Sequence, residues 1–234
     1  MTLAKSLYRG IIASALAVTI AFCGAAQKKI VALTFDDGPS TSTTVKVLDV
    51  LKENDVVATF FLCGKNINKD TRPIMKRAVT QGCELGNHSR THSDMRGLTV
   101  EKMRMEIEYT SHIIKQPTGV ASAFFRPPYL LCNDLMHSSI KMPFIGGFSI
   151  EDWLPEVDAA ERARRVVAKV KPGDIILLHH FAGNDATVDA LKTIIPELKK
   201  QGYTFVTVGN LFKEAGIEPQ AHNKRLYSNV YEQE

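Results

Sequence analysis

Two short polar strings in this sequence contain the residue types that bind a divalent cation. The first is TFDDGP at 34–39, with Asp36 and Asp37, and the second is HSRTH at 88–92, with His88 and His92. The spacing of the histidines lets both imidazoles reach one ion from a loop after a strand. One carboxylate and two imidazoles leave positions on the ion open for water, and the second carboxylate stands beside them. The combination predicts metal-assisted hydrolysis.

The two adjacent carboxylates end an apolar run, 30–33, just before the turn signal Gly38-Pro39. Since neighbouring residues of a strand point to opposite faces, Asp36 and Asp37 can take different roles. The acids of a glycosidase stand about 5–10 Å apart on either side of the substrate, which adjacent positions do not easily provide. A solvated acidic turn is the alternative, and the two histidines argue against it.

The string Arg126-Pro127-Pro128-Tyr129 follows a third apolar run. The two prolines fix the backbone and lack N–H groups, so the Tyr129 N–H is a candidate oxyanion donor. Arg126 is suited to hold a carboxylate by a forked pair of hydrogen bonds. The alternative is a rigid loop with a structural arginine.

The strings around 151–153 and 175–180 supply the remaining candidates. Trp153, the single tryptophan, follows Asp152 at a strand end and suits a wall for a sugar ring, although a lone tryptophan is more often a core residue. His179 ends a very apolar strand, where a nearby carboxylate would keep it charged as a general acid. His180 points to the other face. The other histidines lack a motif context and are interpreted as surface or packing residues: His112, His137 and His222.

Strands and helices must alternate to bring these strings together. Apolar runs predict strands at 30–35, 58–62, 84–87, 123–126, 143–149, 174–178 and 203–207. Helical patterns lie at 43–53, 71–81, 99–115, 159–170 and 186–201. A barrel brings the polar strand ends to one mouth, whereas an open doubly wound sheet would separate them. The sequence therefore predicts an α/β fold, a (β/α) barrel with about seven parallel strands. The polar tail after Gly216 is expected to lie over the surface or to be loose.

Composition and the N-terminus indicate an exported globular domain. The 234 residues, 44% hydrophobic and 23% charged, suit one domain at 27–234. Lys5 and Arg9 precede an uncharged run, 11–23, and small residues up to Ala26. This pattern predicts a secretory signal at 1–26 and a secreted or cell-envelope location. The run is short for a membrane span, and an uncleaved anchor or a lipid on Cys23 is the alternative.

Charge and cysteine content argue against a nucleic-acid-binding protein and against a disulfide-rich protein. The leader holds two basic residues and no acidic ones, so the formal charge falls from +4 to +2, and we expect no nucleic-acid partner. Cys63, Cys83 and Cys132 remain after the leader. Their odd number argues against a dense disulfide framework, and the apolar contexts of Cys63 and Cys83 indicate buried thiols, although one disulfide stays open.

Taken in order, the five strings resemble the polysaccharide deacetylase family, also called the NodB-homology or carbohydrate esterase 4 family. The resemblance runs from about Lys29 to Phe212, and TFDDGP, HSxxH and RPPY are specific in combination. It implies a distorted (β/α) barrel and hydrolysis of acetyl groups on a polysaccharide or oligosaccharide. It also implies a divalent ion, most often zinc and sometimes cobalt.

The resemblance also assigns roles to individual residues. It implies three metal ligands, which are Asp37, His88 and His92. It implies two acid–base groups with the residues that tune them, which are the base Asp36 with Arg126 and the acid His179 with Asp152. Around the substrate it implies an oxyanion donor and three binding residues, which are the Tyr129 amide, Pro128, Trp153 and Leu177.

The chain departs from the family pattern at Ser149-Ile150-Glu151, Ser93 and His180, where an upstream Asp, a Pro and an Asp are common. The region around 151–153, with 183–188, resembles the acetylxylan esterase branch more than the chitin or peptidoglycan deacetylases. Ester and amide substrates pass through similar tetrahedral intermediates, so the sequence leaves that choice open. Two rival functions also stay open: a secreted carbohydrate-binding protein without catalysis, and a metal-dependent amidohydrolase acting on non-sugar amides.

Overall fold

The computed structural model describes residues 27–232, so the predicted secretory signal at 1–26 lies outside the described residues. Within that range the strands are β1 (Ile30–Gly38), β2 (Thr59–Leu62), β3 (Glu84–Asn87), β4 (Phe144–Ile145), β5 (Phe148–Ser149), β6 (Ile175–His179), β7 (Thr204–Phe205) and β8 (Leu226–Tyr227). The α-helices are α1 (Thr43–Glu53), α2 (Arg72–Thr80), α3 (Val100–Thr118), α4 (Asp134–Ser139), α5 (Ala159–Lys169), α6 (Asp185–Lys200) and α7 (Val208–Ala215). The five predicted helices are confirmed to within a few residues, and α4 and α7 were not predicted.

A parallel sheet in the order β3-β2-β1-β6-β5 forms the centre of the fold. β1 has parallel ladders to β2 and β6, and β7 pairs with its first residues. Beyond β3, single bridges join Asn87 to Phe125 and Phe125 to Phe144 of β4. Because β4 and β5 belong to one short segment, 144–149, the strand order leads around the core. The fold is therefore a distorted (β/α) barrel, as the sequence predicts.

Two predicted strands differ in the structure. The run 123–126 forms no strand, and only Phe125 makes bridges, because Pro127 and Pro128 have no N–H groups with which to continue a ladder. The run 143–149 is split into β4 and β5 at Gly146-Gly147. Both glycine N–H groups bond to the C-terminal segment, that of Gly146 to the Tyr227 carbonyl and that of Gly147 to Oγ of Ser228.

The tail after Gly216 was expected to lie over the surface or to be loose, and its last part is packed against the barrel. β8 pairs with β4, Tyr227 is buried, and the Tyr227 carbonyl accepts a 2.9 Å hydrogen bond from the N–H of Gly146. Asn229 Nδ2 donates a 2.6 Å hydrogen bond to Oδ1 of the buried Asp174. The tail thus closes the side of the barrel where the strands are shortest.

β1 is buried on both faces, which makes it a rigid support for the residues at its carboxyl end. Val31, Leu33 and Phe35 belong to a cluster that also contains residues of α1 and α6. Ile30 and Ala32 belong to a second cluster, which contains residues of α7 and the tail. A continuous apolar run is typical of such a strand.

Two further expectations concern thiols and membranes. Cys63, Cys83 and Cys132 are free thiols, and the first two are buried, as their apolar contexts predict. Across residues 27–232, no helix has the length and apolar composition of a bilayer span.

Candidate active site

The carboxyl ends of the parallel strands surround a cavity of about 450 Å³. Strands β1, β5 and β6 and the loops after β3 and Phe125 supply its lining, which is Asp36, Asp37, His88, His92, Pro127, Tyr129, Leu130, Ser149, Trp153, Leu177 and His179. A larger groove of about 680 Å³ beside α7 contains none of the predicted site residues. The convergence of these strand ends is what the barrel prediction required.

The two adjacent carboxylates both reach the cavity, although strand alternation alone would separate them. Asp37 has a φ of 71°, and the register of β1 against β2 shifts between Asp36 and Gly38. A left-handed residue at a bulge redirects the chain and its side chain. Asp36 and Asp37 therefore share one cavity but have different partners, as predicted.

Two of the predicted ligands, His88 and His92, each lie at a distance from the third, Asp37, that suits a shared ion. Oδ1 of Asp37 is 3.1 Å from Nε2 of His92 and 3.4 Å from Nε2 of His88. Atoms that bind a tetrahedral Zn²⁺ at about 2.0–2.1 Å are themselves about 3.3 Å apart. Nδ1 of His88 is 2.7 Å from the Arg126 carbonyl oxygen, so it carries the proton and leaves Nε2 free to bind a metal.

The electrostatics of Asp37 and His92 agree with this geometry. Burial raises the pKa of Asp37, but the contacts with the imidazoles of His88 and His92 outweigh it and hold this pKa below the usual range. Burial, together with the proximity of His88, lowers the pKa of His92. An ionised Asp37 carboxylate and a neutral His92 imidazole are the forms that bind metals.

Cys63 also contacts this group, and its position was not predicted. Its Sγ donates to Oδ1 of Asp37 over 3.7 Å, and Asp37, Cys63 and His88 each offer a ligand atom within 4.8 Å of the others. Burial and the charge of Asp37 raise the pKa of the thiol, so it stays protonated as a donor. The sequence indicated a buried thiol here, but no spacing signal pointed to the site.

Asp36 is held by Arg126 inside the barrel. Nη1 of Arg126 donates 2.7 Å hydrogen bonds to Oδ1 of Asp36 and to Oγ1 of Thr34, and its other nitrogens donate to the carbonyls of Ile145 and Gly146. The arginine is fully buried. A buried charge pair needs such additional partners. The pair leaves Oδ2 of Asp36 directed toward the histidines, 3.8 Å from Nε2 of His88.

His179 forms the second acid–base pair with Asp152. Nδ1 of His179 is 2.7 Å from Oδ1 of Asp152, whose Oδ2 accepts from the His179 N–H and the Thr187 hydroxyl at 2.8 and 2.7 Å. Burial opposes the charge on His179, but the hydrogen bond and charge of Asp152 outweigh it, so the pKa of His179 is raised. His180 faces away, with Nδ1 3.0 Å from Oγ1 of Thr44, as predicted.

Aromatic residues form the walls of the cavity. The Trp153 ring meets the His179 ring edge-on at 5.3 Å, and Tyr129 packs edge-on against His92 at 4.7 Å between ring centroids. Trp153 and Tyr129 are 45% and 63% exposed, so both present surface to a ligand rather than to the core. Leu177 lines the floor between them.

One predicted substrate-binding residue does not line the cavity. Pro128 is buried behind it, whereas Pro127 and Leu130 face it. The reason is the backbone: Tyr129 and Leu130 have φ values of 58° and 57°, which reverse the chain and bring Leu130 forward. The double proline signalled a fixed turn but not its handedness. Ser149 of β5 also lines the cavity and was missed.

This geometry fits a hydrolase, because the Asp36–Arg126 and His179–Asp152 pairs accompany a candidate metal centre. The sequence matches the family model for polysaccharide deacetylases over residues 24–142. A peptidoglycan-N-acetylglucosamine deacetylase of Bacillus cereus is 37% identical over 82% of this chain and 72% of its own length. The chain belongs to the polysaccharide deacetylase family, carbohydrate esterase family 4.

Other relatives lie in the xylan-related part of this family. The bifunctional xylanase/deacetylase of Pseudobutyrivibrio xylanivorans is 49% identical over 87% of this chain, which spans 34% of that protein's length. The Xyl-CE4 domain of a multidomain xylanase from the hindgut metagenome of Trinervitermes trinervoides is 48% identical. It has a TM-score of 0.86 and covers 88% of this chain and 100% of that domain. A family 4 acetyl xylan esterase of Clostridium thermocellum, solved with a cobalt ion, is 40% identical, with a TM-score of 0.84 over 86% and 99% of the two chains.

Proposed function

We propose that this carbohydrate deacetylase uses a divalent metal ion, with Zn²⁺ as the favoured ion, and that acetylated xylan is its preferred substrate. The observation that carries the metal proposal is the spacing of Asp37, His88 and His92. Oδ1 of Asp37 stands about as far from each Nε2 as two ligand atoms around one tetrahedral ion, beside the separate Asp36–Arg126 pair. A cation held there supplies Lewis-acid chemistry, polarising the acetyl carbonyl and lowering the pKa of a water.

The residues around the ligands divide the proton transfers between them. Asp36, fixed by Arg126, accepts the proton of the attacking water. His179, charged through its contact with Asp152, donates a proton to the departing sugar oxygen or nitrogen. The Tyr129 N–H stands at the mouth of the cavity as the oxyanion donor. Base and acid approach the acetyl group from different strands, β1 and β6.

The substrate proposal depends on the relatives and on the cavity. Three relatives that are 40–49% identical to this chain carry xylanase or acetyl xylan esterase in their names. Peptidoglycan deacetylases are 35–37% identical. An exposed tryptophan beside the acid is suited to stack on a sugar ring, and it disfavours small non-sugar amides. We further propose export of the chain, because residues 1–26 have the composition of a secretory signal.

Acetate release from three substrates tests this proposal. The purified chain is incubated with acetylated xylan, chitin oligomers and peptidoglycan, each with and without a chelator, and Zn²⁺ is then restored. We expect release from acetylated xylan to be fastest, to stop with chelator and to return with Zn²⁺. Faster release from either amide substrate contradicts the xylan proposal. Binding of xylan without acetate release supports the rival carbohydrate-binding function, and undiminished release in chelator contradicts metal dependence.

A further inference from the structure

The loop that contains the two candidate histidine ligands, 88–92, has a strained backbone. Ser89 and His92 have φ values of 62° and 61°, in the left-handed region that only glycine adopts easily. Residues in such conformations are strained and persist only where their surroundings hold them. His92 therefore needs contacts from outside the loop to keep Nε2 near Asp37.

One carboxylate on helix α3 supplies three of these contacts. Oε2 of Glu106 accepts 2.8 Å hydrogen bonds from the N–H groups of both Arg90 and Thr91. Its Oε1 accepts a 3.0 Å hydrogen bond from the Thr91 hydroxyl. Hydrogen bonds to an ionised carboxylate are about twice as strong as those between neutral groups. Glu106 therefore restrains Arg90 and Thr91, the two residues that directly precede His92.

The opposite side of the loop is held through its carbonyl groups. The Ser89 carbonyl accepts from the N–H of Gly64 at 2.9 Å, and the Arg90 carbonyl accepts from the N–H of Lys65 at 2.8 Å. Nζ of Lys65 donates to the Thr91 carbonyl over 3.2 Å. The loop thus lies between two partners. The segment after β2 donates hydrogen bonds to its carbonyl groups, and Glu106 of α3 accepts hydrogen bonds from its N–H groups.

We infer that Glu106 is a positioning residue for the metal centre: it holds the 90–91 backbone so that His92 presents Nε2 to the ion. The inference rests on the proposed metal-dependent function. Glu106 acts only through the loop, since it does not line the cavity. Residues that hydrogen-bond directly to a metal ligand typically contribute 10–100-fold to metal affinity. Glu106 is one step further from the ion, because it hydrogen-bonds to the backbone before His92 rather than to the imidazole.

Zn²⁺ affinity, measured by calorimetry on the metal-free full chain, tests this role. Glu106→Ala should weaken Zn²⁺ binding by about tenfold or more. Glu106→Gln keeps one acceptor oxygen and should lose less. The matched control is Glu108→Ala, which removes another carboxylate from α3, one exposed and 3.9 Å from Nε of Arg104. We expect Glu108→Ala to leave Zn²⁺ affinity unchanged.

A double-mutant cycle with His92→Ala separates positioning from a general structural role. If Glu106 acts through His92, Glu106→Ala adds little further loss of Zn²⁺ affinity once His92 has been removed. Equal losses in both backgrounds would overturn the inference. So would a Glu106→Ala chain with wild-type affinity, or, if that variant does not fold, a Glu106→Gln chain with wild-type affinity.

The outcome for the wild-type chain separates the two proposals. A wild-type chain that binds no Zn²⁺ or other divalent ion contradicts the proposed function and removes the basis of this inference with it. A wild-type chain that binds Zn²⁺ normally, with no change in Glu106→Ala, contradicts the positioning role alone.

Discussion

Nδ1 of His88 donates a 2.7 Å hydrogen bond to the main-chain carbonyl of Arg126, whose guanidinium donates a 2.7 Å hydrogen bond to Asp36. One buried arginine therefore orients a candidate metal ligand through its backbone and the candidate base through its side chain. The two functions depend on different atoms. Substitution of the Arg126 side chain should therefore affect the base more than the metal.

Arg126→Met should destabilise the protein and abolish turnover. The change leaves the carboxylate of Asp36 buried without its cation, and breaking one partner of a buried pair costs about 3–5 kcal/mol. Urea denaturation measures the loss in the free energy of unfolding. The double variant Arg126→Met/Asp36→Asn should recover part of that free energy without recovering acetate release. A single variant as stable as the wild type would contradict the buried-pair interpretation.

The two neighbouring carboxylates should give different phenotypes. Asp37→Asn removes a ligand charge and should weaken Zn²⁺ binding more than the 10–100-fold that is typical of outer partners. Asp36→Asn should keep most Zn²⁺ affinity but lose acetate release, because its carboxylate is hydrogen-bonded to Arg126 and is the proposed base. Calorimetry and an acetate assay on the same preparations check both. Equal Zn²⁺ affinities in the two variants would contradict this division of roles.

The pH dependence of turnover should report the pair of His179 and Asp152. Burial lowers the pKa of His179, but the hydrogen bond and charge of Asp152 raise it by more than burial lowers it. The pKa of His179 is therefore raised. A general acid works in its protonated form, so activity falls as the pH rises through this pKa. A raised pKa therefore extends activity to higher pH.

Asp152→Asn should lower that pKa and move the alkaline loss of activity to lower pH. We expect kcat at neutral pH to fall by about 10- to 100-fold, less than the 10²–10⁴-fold that general acid–base catalysis contributes in full. The control is Glu151→Gln, because Glu151 is exposed and pairs with Arg165 at 2.8 Å rather than with His179. An alkaline limb that does not move in Asp152→Asn would show that another group titrates there.

Most residues predicted for the candidate site line one cavity, because they lie in short strings at strand ends. Local composition places Asp36, Asp37 and His179 at the ends of apolar runs, and parallel strands bring such ends together. No local signal gave the left-handed backbone of Asp37, which directs both carboxylates into one cavity. Left-handed backbone also explains why Pro128 was wrongly predicted to line the cavity. Tyr129 and Leu130 have positive φ values that no local signal gave, and Leu130 lines the cavity instead.

Contacts between distant parts of the chain were the main omission. The N–H of Gly147 bonds to Oγ of Ser228, 81 residues away, and this pairing splits the predicted strand 143–149. The tail 216–232 is polar in sequence, so its pattern indicated a loose segment. Its burial depends on individual hydrogen bonds to glycines and to Asp174, which hydrophobic periodicity does not detect.

Asn229→Ala should destabilise the protein because it leaves one oxygen of a buried carboxylate, Oδ1 of Asp174, without its hydrogen-bond donor. Asn229 Nδ2 donates to Asp174 Oδ1 at 2.6 Å, and burial already raises the pKa of Asp174. Loss of a hydrogen bond to a buried polar group costs about 1–3 kcal/mol in the free energy of unfolding, which urea denaturation measures. Glu232→Gln is the matched control in the same tail: its exposed ion pair with Lys171, at 2.8 Å, should contribute at most about 1 kcal/mol. If both variants lose the same small free energy, the tail is held no more firmly by its buried bond than by its surface pair.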